Sequence, residues 1–86
     1  MHADPPAPGW SVVDGRWTRS WRFPDYAQAL SFVNRISEIA ESAHHHPDVA
    51  FGWGYVRLSL WTHDVGAITE LDHRLATAIN ALDAPG

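Results

Sequence analysis

The stretch from Asp25 to Pro47 constrains this chain more than any other part of it. Tyr26, Ala29, Leu30, Val33, Ile36, Ala40 and Ala43 recur at intervals of three or four, the signature of one apolar helix face, and Asp25 precedes them as an N-cap. Pro47 disfavours helical geometry in the residue before it, so the helix must stop near His46. His44, His45 and His46 therefore fall at the C-terminal end of an amphipathic helix, and the rest of the fold has to be built around that end.

On the N-terminal side, residues 1–9 carry three prolines and no apolar period, which reads as a flexible or loosely docked leader outside the fold. Residues 10–14 and 16–23 are β-prone, and Asp14-Gly15 between them is a hairpin signal. Trp17, Trp21 and Phe23 share a strand face that is apolar apart from Arg19. Residues 48–55 form two short β-like halves about a glycine-bearing turn. Residues 55–62 then alternate cleanly, with Val56, Leu58 and Leu60 on one side and Tyr55, Arg57, Ser59 and Trp61 on the other.

Thr69 and Asp72 make a variant capping box ahead of a second amphipathic helix carrying Leu71, Leu75, Ala78, Ile79 and Leu82. The order β-β-α-β-β-α predicts an α+β fold: a four-stranded antiparallel sheet with two helices packed on one face, as a single domain over residues 10–86.

Composition narrows the function. At 86 residues the chain has room for one small core and no cysteine to brace it, so self-association is a natural support. Six arginines, no lysine and ten carboxylates give a net charge of -4, which argues against nucleic-acid backbone binding and polybasic membrane anchoring. No apolar run approaches the ~20 residues of a membrane helix, and the N-terminus lacks secretory signal features, so the expected location is the cytoplasm. Five tryptophans in so short a chain call for a flat ligand site, an oligomer contact, or both.

His44, His45, His46 and His63 lie near element ends that this topology could bring together, and paired imidazoles can give and take a proton near neutral pH. Each candidate also has a structural reading of its own. The helix-end histidines suit the macrodipole, Asp72 suits the capping box, Glu41 pairs with His45 along a helix face, and Pro47 is a helix stop. Trp53 and Trp61 read as core or interface aromatics. Adjacent helical residues point roughly 100° apart and no His-Glu-x-x-His sequence is present, so no metal is expected. Nucleophile elbows and phosphate-binding glycine loops are likewise missing.

The joint spacing changes this balance. Glu41, three residues, His45-His46-Pro47, the aromatic Trp53, then Thr62-His63, Gly66-Ala-Ile-Thr69 and Asp72 resembles the signature of the pterin-4a-carbinolamine dehydratase family. Ile68 stands where the family usually has leucine, and the resemblance spans residues 10–82. It implies dehydration of 4a-hydroxytetrahydropterin to quinonoid dihydropterin, which recycles the cofactor of an aromatic amino acid hydroxylase, the partner enzyme of that pathway. Neither metal nor cofactor is implied. Carried over by position, His45, His46 and His63 are the active-site histidines and Glu41 and Asp72 the accompanying acids; Trp53, as a wall for the bicycle, and Pro47 are read beside them as substrate-binding or orienting residues, with His44 left to solvent. The resemblance also implies a homodimer or homotetramer. The alternative is a non-catalytic protein-binding module, since similar domains serve as a transcriptional coactivator in animals and as a Rubisco assembly factor in some autotrophs.

Overall fold

The computed structural model describes residues 7–82. Its elements follow the expected order: β1 Ser11–Val13, β2 Arg16–Arg22, α1 Tyr26–Ala43, β3 Asp48–Gly52, β4 Tyr55–Leu60 and α2 Glu70–Asn80. The strands form one antiparallel sheet in the order β1-β2-β4-β3. Asp14 and Gly15 both have positive φ, 53° and 75°, the geometry of the tight β1–β2 turn that their sequence signalled.

The register sets the core. Trp17 pairs with Leu60, Arg19 with Leu58 and Trp21 with Val56, so the large apolar side chains of the two central strands share one face. Ala29, Phe32 and Ile36 of α1 and Leu75, Ala76 and Ile79 of α2 join them in a single buried cluster. Both helices therefore cover the same side of the sheet. Among the described residues, no helix is long and apolar enough to cross a membrane.

Two details differ from the sequence reading. The buried line of α1 runs through Ala29, Phe32, Ile36 and Ala40, whereas Tyr26, Leu30 and Ala43 are exposed. Position 32 rather than position 30 meets the aromatic rings of Trp21 and Phe23, at 5.0 and 5.2 Å between centroids, and Tyr26 instead flanks Phe51 at 5.3 Å. The packed chain also begins before Trp10: the Trp10 amide donates to the Ala7 carbonyl, and Asn80 donates to the Pro8 carbonyl. Residues 1–6 of the expected leader lie outside the described residues.

Arg19 is explained by the same corner of the molecule. It sits on the core side of β2 but reaches outward over the Trp21 ring, and its guanidinium donates to Asn80 Oδ1. Trp10 Nε1 donates to the same oxygen at 2.9 Å. Asn80 thus ties the last turn of α2 to the start of the chain and to β2. Asn80→Ala removes the shared acceptor and is expected to lower unfolding stability by about 1–3 kcal/mol. Urea denaturation followed by tryptophan fluorescence would read this, and an unchanged midpoint would rule out Asn80 as a structural tie.

Candidate active site

α1 ends through its last residues in a way that separates the three consecutive histidines. His44 takes the left-handed conformation, φ 52° and ψ 37°, with its amide directed at the Ala40 and Glu41 carbonyls. This is the usual device for closing a helix, though normally with glycine. The chain turns there, so that His45 is buried (8% exposed) while His44 and His46 remain at the surface.

β4 continues its alternation past Leu60: Thr62 points inward and is buried, while His63 is exposed. The Thr62 amide bonds to the Ala67 carbonyl, and the Gly66 amide returns to the Thr62 carbonyl at 2.8 Å, closing a tight loop around His63. Gly66 has φ 71°, which that closure requires.

These ends meet at Asp72, which is fully buried in the first turn of α2. His45 Nε2 lies 2.7 Å from Asp72 Oδ1. The Thr62 hydroxyl donates to Oδ2 at 2.8 Å, and the Thr69 amide donates to Oδ2 at 2.9 Å, completing the capping box. Because the Thr62 proton is committed to Asp72, the Thr69 hydroxyl must donate to Thr62, from which it is separated by 2.6 Å. Thr69 Oγ1 in turn accepts from the Leu71 amide.

Asp72 is an acceptor throughout, so the nitrogen of His45 that faces it must carry hydrogen. In the neutral ring that leaves Nδ1 as the basic nitrogen. The carboxylate both caps a helix and fixes the tautomer of an imidazole.

His46 behaves differently. Its Nε2 meets Glu41 Oε2 at 2.5 Å on an exposed rim, where solvent screens the pair and gives it little weight in stability. A groove of about 400 Å³ opens over this region, lined by His44, His45, His46, Pro47 and Asp48 from the segment after α1, Thr62, His63 and Asp64 from the segment after β4, and Leu71 of α2. Among the described residues, no three metal-ligating side chains gather closely enough to share an ion.

The groove thus collects His45, His46, His63 and Pro47, with Asp72 behind one wall and Glu41 at the rim. It does not collect Trp53. That residue is 73% exposed in the β3–β4 turn, beyond the far end of β3 from Pro47 and separated from it by the whole length of that strand. The physical reason is the hairpin, which carries position 53 away from the histidines before β4 returns. His44, left to solvent in the sequence reading, is exposed yet lines the groove. Thr62 was legible only as part of a motif, although its place in the inward series after Val56, Leu58 and Leu60 marks it as a polar side chain entering the core.

Comparison with known proteins identifies the family and the fold. A family model described as pterin 4 alpha carbinolamine dehydratase matches residues 2–82. A relative from Rubrobacter xylanophilus, provisionally named for the same activity, is 45% identical over 76 residues, covering 87% of this chain and 71% of that protein. The mitochondrial pterin-4-alpha-carbinolamine dehydratase 2 of Arabidopsis thaliana is 42% identical, over 86% of this chain and 42% of its own length. The crystal structure of a transcriptional coactivator/pterin dehydratase from Brucella melitensis superposes with a TM-score of 0.79 at 38% identity, covering 86% of this chain and 81% of that one.

Two stability effects follow from the geometry. Asp72→Ala removes a cap and strands His45 and Thr62, and is expected to cost about 2–4 kcal/mol in urea unfolding. A cost no greater than that of an exposed substitution would mean that the buried network contributes nothing. His44→Gly relieves the left-handed strain and is expected to stabilise the fold by about 0.5–1 kcal/mol after allowing for the extra freedom of glycine in the unfolded chain. Destabilisation by this change would show that the histidine side chain itself is needed at the cap.

Proposed function

The chain belongs to the pterin 4 alpha carbinolamine dehydratase family, and from that membership we propose that it removes water from a 4a-hydroxytetrahydropterin to give the quinonoid dihydropterin. The observation that carries this reading is the 2.7 Å contact between His45 and a fully buried Asp72, on the wall of a groove that His63 also lines.

A carbinolamine holds a hydroxyl and an amine nitrogen on one carbon. Losing water forms a carbon–nitrogen double bond, with a proton supplied to the departing hydroxyl and another taken from the nitrogen. Two imidazoles in opposite protonation states meet both needs. His45 is suited to take the proton: its Nδ1 is the free base, and the Asp72 carboxylate bonded to Nε2–H stabilises the imidazolium that forms. His63 is exposed at the groove and is suited to deliver a proton to the leaving hydroxyl. His46, held by Glu41, and Pro47 border the groove where the flat bicycle would lie.

The same reading includes self-association. Trp53, Tyr55 and Val49 are large apolar side chains left exposed on one hairpin, and a second copy of the chain would cover them.

Absorbance-monitored decay of 4a-hydroxytetrahydropterin, generated in situ by a hydroxylase, tests the activity. The wild type is expected to accelerate the decay, and His45→Ala and His63→Ala are each expected to reduce the catalysed rate by about 10²–10⁴-fold. A folded wild type that does not outpace the spontaneous reaction would overturn the dehydratase reading and favour a binding role of the kind named for the Brucella relative.

A further inference from the structure

We propose that Trp61 is the positioning residue for His63, holding its imidazole by ring stacking. The inference rests on the catalytic reading of His63 given above. The two rings lie 4.3 Å apart between centroids and only 13° from parallel. Among the described residues no hydrogen bond reaches the His63 imidazole, in contrast to His45, which is held by Asp72, and His46, which is held by Glu41. Stacking is therefore the contact that orients the third imidazole.

The placement follows from the sheet. Trp61 continues the β4 alternation onto the face away from the helices, one position beyond Leu60, the partner of Trp17. Arg16, one residue before Trp17, therefore comes opposite Trp61, and its guanidinium carbon lies 3.9 Å from the indole centroid. The cation lies against the electron-rich indole face and restrains the ring's rotation. His63, two residues along from Trp61, is brought back over the indole by the loop that Thr62, Gly66 and Ala67 close. Arg16 and His63 thus both pack on Trp61, which links the outer sheet face to a side chain that lines the groove.

The expected consequence is a division of labour. A proton donor displaced by an ångström or so loses up to about 10²-fold in rate while substrate binding is little affected. Trp61→Leu is therefore expected to lower kcat by roughly 10–100-fold with KM nearly unchanged, and Trp61→Phe, which keeps a flat ring, to restore most of it. In a His63→Ala background the Trp61→Leu change should add little further loss, because the two side chains act as one unit.

Proton NMR supplies a readout independent of activity. The His63 ring protons should be shifted upfield by the indole ring current in the wild type, lose that shift in Trp61→Leu, and retain part of it in Trp61→Phe. His63 resonances at random-coil positions in the folded wild type would overturn the proposal. So would a Trp61→Leu loss of equal size with and without His63, which would make the tryptophan merely structural. A wild type lacking dehydratase activity would remove the catalytic half of the proposal together with the reading it rests on, while the ring-current shift would still decide the stack.

Discussion

A carboxylate with no exposed surface must find all its donors within the protein, and the site of this molecule is arranged around that requirement. Asp72 takes one hydrogen bond from the end of β4, one from the amide at the N-cap of α2, and one from the residue that follows the α1 cap. Removing any one of these donors would leave acceptor capacity buried and unused, which is costly in a low-dielectric interior. The ends of three elements are thereby held in one place by a group that could not be buried there alone.

The remainder of the core allows this polar junction to exist. Trp17, Trp21, Phe32 and Ile36 pack with the inward residues of β4 into one apolar layer, and no buried side-chain nitrogen or oxygen among the described residues lacks a partner. Thr62 shows how the two parts are joined: it is the next inward position after three aliphatic ones, where the apolar series gives way to the hydroxyl that reaches Asp72. At the opposite corner, Asn80 answers two donors from β2 and the preceding segment with one oxygen.

Much of this arrangement was legible in the residues themselves, because it depends on local rules. Asp25 and Thr69 announce helix starts and Pro47 announces a stop, whereas the histidines and Asp72 were joined only through their resemblance to a family signature. Trp53 was placed near the histidines through the family signature, whereas the antiparallel hairpin carries it to the far end of β3, outside the groove. Phe32 was passed over in favour of Leu30 because both fit a three-or-four period, and only the positions of Trp21 and Phe23 decide between them. Long-range packing of this kind leaves no trace in a single helix pattern.

The left-handed residue His44 bears on how substitutable the histidine cluster is. Three identical side chains in a row suggest redundancy, as if a neighbour could take over when one is lost. The reversal of backbone hand at His44 removes that redundancy, since it sends successive side chains into unlike surroundings: open solvent at the groove edge, a buried carboxylate, and an exposed glutamate. A one-residue deletion or insertion between Ala40 and Pro47 would keep the composition of the segment and yet put the wrong histidine opposite Asp72. The cluster tolerates changes of length far less than its repeated letters imply.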